Sequence, residues 1–248
     1  MTNEAAPQAE AASQAEATLQ AEASLRAESL RAEVGADASS AAANGQAAAL
    51  ERLFGRYHFP PGPRRILLAA ATAFAERGFH ATTTRDIAAQ AGLSPAALYV
   101  YFRSKEEVLH QIVASTLDFT VEVVATEANR PGSPADRLSG LVQVLTVWTT
   151  YNSQVGHVVL YQTSALSPEH LTDITAKQRR VSQLVRQVIV DGISTRDFDI
   201  DDPGAAAIAI LSLCLDVPRW YHPGHRLTPQ KLGDFNAAAA LRIAGATQ

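Results

Sequence analysis

The sequence predicts an all-α protein, with a small three-helix unit near residues 60–110 and a larger helical domain over 111–248. Three observations lead there. Apolar residues recur at helical spacing from Ile66 to Ile243. Serine, threonine or aspartate, followed by proline or a carboxylate, punctuates those segments as helix starts do. No run of alternating β-branched residues occurs, so no sheet is expected.

The elements follow in order. Pro63 suits a first helical turn, Ile66, Leu67, Ala70 and Phe74 keep the period, and Gly78 suits the C-terminal cap. Thr83 with Asp86 makes a capping box, and the short helix it opens stops at Gly92. Ser94-Pro95 opens a second short helix, and Ser104 with Glu106 and Glu107 opens another. Ser133-Pro134, Ser167-Pro168, Asp202-Pro203 and Thr228-Pro229 each open a longer one, and a shorter helix is expected from Val155 to Thr163. Counting caps and periods gives about nine helices.

Residues 1–55 differ in composition, being rich in alanine, glutamate and glutamine. The first 50 residues carry seven carboxylates against two arginines. Glu10, Glu16, Glu22 and Glu28 are spaced by six, so on a helix they would spiral instead of lining one face. So little apolar surface cannot offset the entropy of ordering, and a disordered acidic tail is the expectation. The formal net charge of −4 therefore conceals a different balance downstream. Residues 64–107 hold six cations against four carboxylates.

Residues 84–103 carry the chemistry. A short helix, a tight turn at Ala91-Gly92-Leu93 and a second short helix make a helix-turn-helix. Ile87, Ala88 and Ala91 face inward, Leu93 plugs the turn, and Leu98 and Phe102 hold the second helix. The other face offers Ser94, Pro95, Ala96, Ala97, Tyr99, Val100 and Tyr101. A helix of this kind fits the DNA major groove, its N-terminal residues meeting base edges.

These residues resemble the TetR family. Phe74 and Gly78-Phe79, Thr82-Thr83, Ile87-Ala88, Ala91-Gly92-Leu93-Ser94, Leu98-Tyr99, Tyr101-Phe102 and Ser104-Lys105-Glu106 fall at the family's spacing over residues 63–110. The resemblance implies that Thr83, Thr84 and Arg85 lie on the DNA backbone and that Ser94, Pro95 and Ala97 face bases. It implies phosphate contacts from Tyr99, Tyr101 and Lys105, the last beside helix N-terminal amides. It also implies a homodimeric repressor, released from a palindromic operator by a small effector. A transcriptional activator, or an effector-independent DNA binder of the same fold, is the alternative.

The second domain resembles the family more loosely. Asp216–Tyr221 and Leu227–Leu232 are similar to members that control fatty-acid, steroid or other acyl-CoA catabolism, which implies an acyl-CoA or a related lipid intermediate as effector. Candidate effector residues are Trp148, Tyr151, Tyr161 and Trp220, with Arg179, Arg180 and Arg186 for phosphates. A solvated helix face explains the arginines equally well, and core or interface anchoring explains the tryptophans. The segments Pro203–Val217 and Pro229–Ala244 are the expected dimer interface, the second with Leu232, Phe235, Ala239 and Ile243 on one stripe.

Enzyme signatures are missing: there is no Walker loop, no G-x-S-x-G and no H-E-x-x-H, so neither catalysis nor a cofactor is expected. His222-Pro-Gly-His225 reads as a turn, not as metal ligands. Cys214 is the only cysteine and excludes an intramolecular disulfide. No signal peptide and no membrane-spanning run is read, so a cytoplasmic location away from membranes is expected.

Overall fold

The computed structural model describes residues 5–36, 50–222 and 224–246. Among them every regular element is helical, and β structure is limited to one bridge between Phe198 and Ala246. In chain order the helices are α1 (Ala5–Ala36), α2 (50–56), α3 (Pro61–Arg77), α4 (Thr84–Gln90), α5 (Pro95–Tyr101) and α6 (Lys105–Ala128). Then come α7 (Pro134–Tyr151), α8 (Ser153–Gln162), α9 (Pro168–Thr195), α10 (Pro203–Leu215), α11 (Val217–Trp220) and α12 (Pro229–Ile243).

The helix starts are set by side chains. Thr83, Ser94, Ser104, Ser133, Ser167, Asp202 and Thr228 each accept a backbone N–H of the first turn. Each such cap satisfies a donor that a helix otherwise leaves unpaired, worth about 1 kcal/mol. Thr83–Asp86 and Ser133–Asp136 are reciprocal capping boxes.

Helix α6 is the centre of the molecule. Val108, Leu109, Ile112, Val113, Val123 and Val124 are buried against α3, α7, α8 and α9. It is the one described helix long and apolar enough to cross a membrane, and 67% of that window is buried inside the protein as core. Helix α12 lies along α7 so closely that a Cβ on Gly233 would meet the Gln143 carbonyl at 3.1 Å.

Two expectations change. A disordered tail over 1–55 does not describe α1 or α2. Ala27, Leu30 and Val34 form a short buried stripe facing α6 and α7, and Leu50, Leu53 and Phe54 are buried as well. Arg31 pairs in two bonds of 2.7 Å with Glu127, a fully buried carboxylate of α6. Arg56 joins Glu122 of α6 to Glu33 of α1. Composition concealed this because three apolar residues at helical spacing suffice when distant carboxylates supply partners. Residues 1–4 and 37–49 of that expected tail lie outside the described residues.

The second change concerns α12. Leu232 faces inward with Gly233, Asn236, Ala237 and Ala240, whereas Phe235 faces outward and is 63% exposed. Leu232 and Phe235 therefore do not share one stripe. The large exposed apolar residues of these two helices are Ile208 on α10 and Phe235 on α12.

Candidate nucleic-acid interface

Helices α4 and α5 are each seven residues long and are joined by a turn in which Gly92 takes φ +64. A side chain at Gly92 would be strained there, and its Cβ would meet the Arg65 guanidinium at 2.7 Å. Ile87, Ala88 and Leu98 are fully buried and fix the unit from within. What remains outside is the N-terminal end and outer face of α5. Ser94, Pro95, Tyr99, Val100 and Tyr101 are exposed, and Ala97 is half-buried. Arg85 is exposed on α4, and the Thr84 hydroxyl lies 3.2 Å from that of Tyr99. Thr84 and Tyr99 thus bring the outer faces of α4 and α5 together, with Thr83 as the cap of α4.

Thr83 is committed locally. Its hydroxyl and its backbone N–H both donate to the Asp86 carboxylate, holding that carboxyl below its ordinary range, and the hydroxyl accepts the Asp86 N–H. Ser94 accepts from Ala97 N–H, which leaves its own hydroxyl proton for a base or phosphate. Tyr101 lies against α3, where a Cβ on Gly62 would meet its hydroxyl at 2.8 Å.

Lys105 differs most from expectation. Its ammonium donates to the carbonyls of Phe79 at 2.6 Å and Thr82 at 2.7 Å and sits 4.1 Å from the Phe79 ring centroid. Burial lowers its pKa. Two of its three donors are therefore spent on tying the loop before α4 to the start of α6.

Sequence reasoning missed three residues. Thr82 is fully buried and donates to the Gly78 carbonyl, locking that same loop. Gln162 at the end of α8 accepts the Phe79 N–H at 2.9 Å, joining the larger domain to the helix-turn-helix unit, the reading head of the expected DNA contact. Asn152, at the junction of α7 and α8, is buried with Oδ1 unpartnered. Only Thr82 had a signal, its place in the motif; the other two depend on contacts no local pattern reveals.

A cavity of about 250 Å³ opens between α6, α7 and α8, with one residue each from α9, α10 and α11. Thr116, Leu117, Trp148, Asn152, Val159 and Leu215 are among its lining residues. Of the expected effector residues, Trp148 lines it. Tyr151 is half-buried and bonds Gln230 instead, while Tyr161 and Trp220 are about half exposed. Arg179, Arg180 and Arg186 are exposed on α9 and none lines the cavity. Among the described residues no three His, Cys, Asp or Glu side chains are placed to hold a metal. Burial pushes the Cys214 thiol up to about 12, so it is an unreactive core group.

Known proteins share this architecture. Residues 66–112 match the family model for bacterial regulatory proteins of the tetR family, and 131–244 match the tetracyclin repressor-like C-terminal domain. The HTH-type transcriptional repressor KstR2 of Mycobacterium tuberculosis is 30% identical over 203 residues, 77% of this chain and 96% of the relative. The crystal structure of a tetR-family regulatory protein from Rhodococcus RHA1 superposes with a TM-score of 0.73 at 32% identity, covering 77% of this chain and all of that one. The structure of the ketosteroid transcriptional regulator KstR2 of M. tuberculosis gives a TM-score of 0.67 at 30% identity, covering 75% of this chain and 95% of that one. Helices α1 and α2 lie outside both family models.

Proposed function

We infer that this chain, which belongs to the TetR family of transcriptional regulators, is a DNA-binding repressor that releases a palindromic operator when a small molecule enters the α6–α8 cavity. The observation that carries this reading is the joint at Phe79. Its N–H is held by Gln162, on the helix that supplies Val155, Gly156, Val159 and Leu160 to the cavity wall. Its carbonyl is held by Lys105, the first residue of α6, which supplies Thr116, Leu117 and Thr120. A ligand that favours a different spacing of α6 and α8 must therefore move the reading head. Only a difference in affinity between the two arrangements shifts the equilibrium.

On the DNA side, Thr84, Arg85, Tyr99 and Tyr101 would contact phosphate, with Ser94, Pro95 and Ala97 at bases. Lys105 would position the head more than it grips DNA. Two heads on a palindrome require a dimer, and the exposed Ile208 and Phe235 supply its apolar surface. The protein would act on DNA in the cytoplasm, without a catalytic step.

The KstR2 relative is described as a ketosteroid transcriptional regulator, which favours a lipid-derived effector here. An acyl-CoA would keep its phosphates outside, because no cation lines the cavity and the nearest arginine in sequence, Arg179, follows the rim residue Gln178. The test is native mass spectrometry of the purified protein, followed by a gel shift with and without the molecule found. A co-purified lipid that releases the duplex is expected. Duplex binding indifferent to every co-purified molecule would contradict effector control.

A further inference from the structure

A protein that holds duplex DNA draws much of its affinity from cations set against phosphates. Between residues 64 and 107 the chain offers six, and three of them are already engaged. Lys105 serves two carbonyls of the loop before α4. Arg64 donates to the Phe59 carbonyl at 3.1 Å and approaches Glu51 at 3.9 Å. Arg77 approaches Glu76 at 3.9 Å and helps to hold the Asp86 carboxyl below its ordinary range. Arg65, Arg85 and Arg103 are left, and all three are exposed. Among the described residues none of these three guanidiniums pairs with a carboxylate.

Arg85 lies on α4 and is already placed at the DNA backbone. The other two stand beyond the two ends of α5. Arg65, near the start of α3, reaches across to the turn before α5, where Nη2 donates to the Gly92 carbonyl at 3.3 Å. Gly92 is two residues ahead of Ser94, the cap of α5. That bond occupies one of five N–H donors and leaves the rest of the fork open. Arg103 follows Phe102, the C-terminal cap of α5. Its backbone N–H is fixed by Glu107 Oε2 at 2.6 Å, while its guanidinium bonds no described residue.

We propose that Arg65 and Arg103 bind DNA phosphates, one beyond each end of α5, and supply the cationic contact that Lys105 has spent on the loop. The proposal rests on reading the outer face of α5 as the DNA face, and it extends that contact onto α3. The seven residues of α5 rise about 10 Å. The major groove is about 12 Å wide, with a phosphate wall on either side. A cation beyond each end of so short a helix is placed for those walls. Arginine suits the task, because its planar fork meets two phosphate oxygens at once. The bond to Gly92 orders Arg65 before DNA arrives, so less side-chain freedom is lost on binding.

Fluorescence anisotropy of the full-length protein with two unrelated labelled duplexes of equal length tests this, each titrated between about 50 and 200 mM salt. Arg65→Gln keeps a donor for the Gly92 carbonyl and removes the charge. Arg65→Gln and Arg103→Gln should each reduce the slope of log affinity against log salt by about one, and the double variant by about two. The loss should be alike on both duplexes, with the thermal midpoint unchanged. Arg65→Lys and Arg103→Lys should keep the wild-type slope, because the charge remains. A wild-type slope in either Gln variant would overturn the assignment of that arginine. A lowered midpoint with an unchanged slope would make Arg65 a brace of the turn and nothing more. A loss confined to one duplex would mean a base contact and overturn the phosphate assignment. Failure of the wild type to bind either duplex would remove the DNA reading of α5 and the proposal with it. Should Arg65→Gln fail to fold, Arg103→Gln decides, since the Arg103 guanidinium holds no described residue in place.

Discussion

The backbone N–H of Phe79 donates to Oε1 of Gln162 at 2.9 Å, bridging the reading head and the domain that contains the cavity. Lys105 holds the carbonyl of the same residue. Gln162→Ala removes the acceptor and should cost about 0.5–1.5 kcal/mol locally. Amide exchange at Phe79 should accelerate while exchange in the core of α6 does not. Unchanged protection at Phe79 would show that this bond does not hold the joint.

Lys105→Ala separates two roles for one cation. Because the ammonium already serves Phe79 and Thr82, its loss should lower the thermal midpoint and weaken DNA binding with the salt slope nearly unchanged. A slope reduced by about one at unaltered stability would assign the charge to a phosphate instead.

The N-terminal helix should matter for stability. Removing one partner of a buried ion pair costs about 3–5 kcal/mol when both ions are enclosed. Arg31 is 37% exposed and Arg130 also approaches Glu127, so about 1–2 kcal/mol is expected for Arg31→Ala. Gly140 is part of this joint, since a Cβ there would meet Arg31 and Glu127 at 2.6 Å. Gly140→Ala should therefore destabilise by a similar amount. A midpoint indifferent to both changes, read by thermal denaturation, would mean that α1 is not held at this place.

Phe235→Glu places a charge on the exposed face of α12. Sedimentation should show a monomer with unchanged helical circular dichroism and no operator binding. A dimer that still binds its operator would exclude this face as the interface.

The acid limb of stability should depend on Glu106. Burial alone would raise its carboxyl, but the Ser167 N–H and the His170 imidazole outweigh burial and hold it below the usual range. A depressed folded pKa gives stability that is complete above the unfolded value and lost as pH falls through the folded one. Glu106→Gln should therefore be less stable at neutral pH, with the two curves converging as pH falls through and below the ordinary glutamate range. A gap that stays constant through the whole acid limb would contradict this.

The helix starts and the reading head were legible because caps and helix-turn-helix packing are local: Thr83, Ser94, Gly92 and Leu98 act within a few residues of themselves. The joint at Phe79 was not legible, since Gln162 is 83 residues away and an ordinary polar residue in sequence. The docking of α1 was hidden for the same reason, its carboxylate partners lying 96 residues along the chain. The arginines of α9 were misleading because charge on a long helix is more often solvated than convergent. Asn152 carried no signal at all, because its burial depends on how α7 and α8 pack against the helices around them.

Selection of bound duplexes from a random-sequence library tests the central claim most directly. The wild type should enrich an inverted repeat, with half-sites about one helical turn or a multiple apart. A variant with Tyr99→Phe and Ser94→Ala should bind that repeat at least about tenfold more weakly. Enrichment of no common sequence at moderate salt, or equal binding by that variant, would contradict reading by the exposed face of α5.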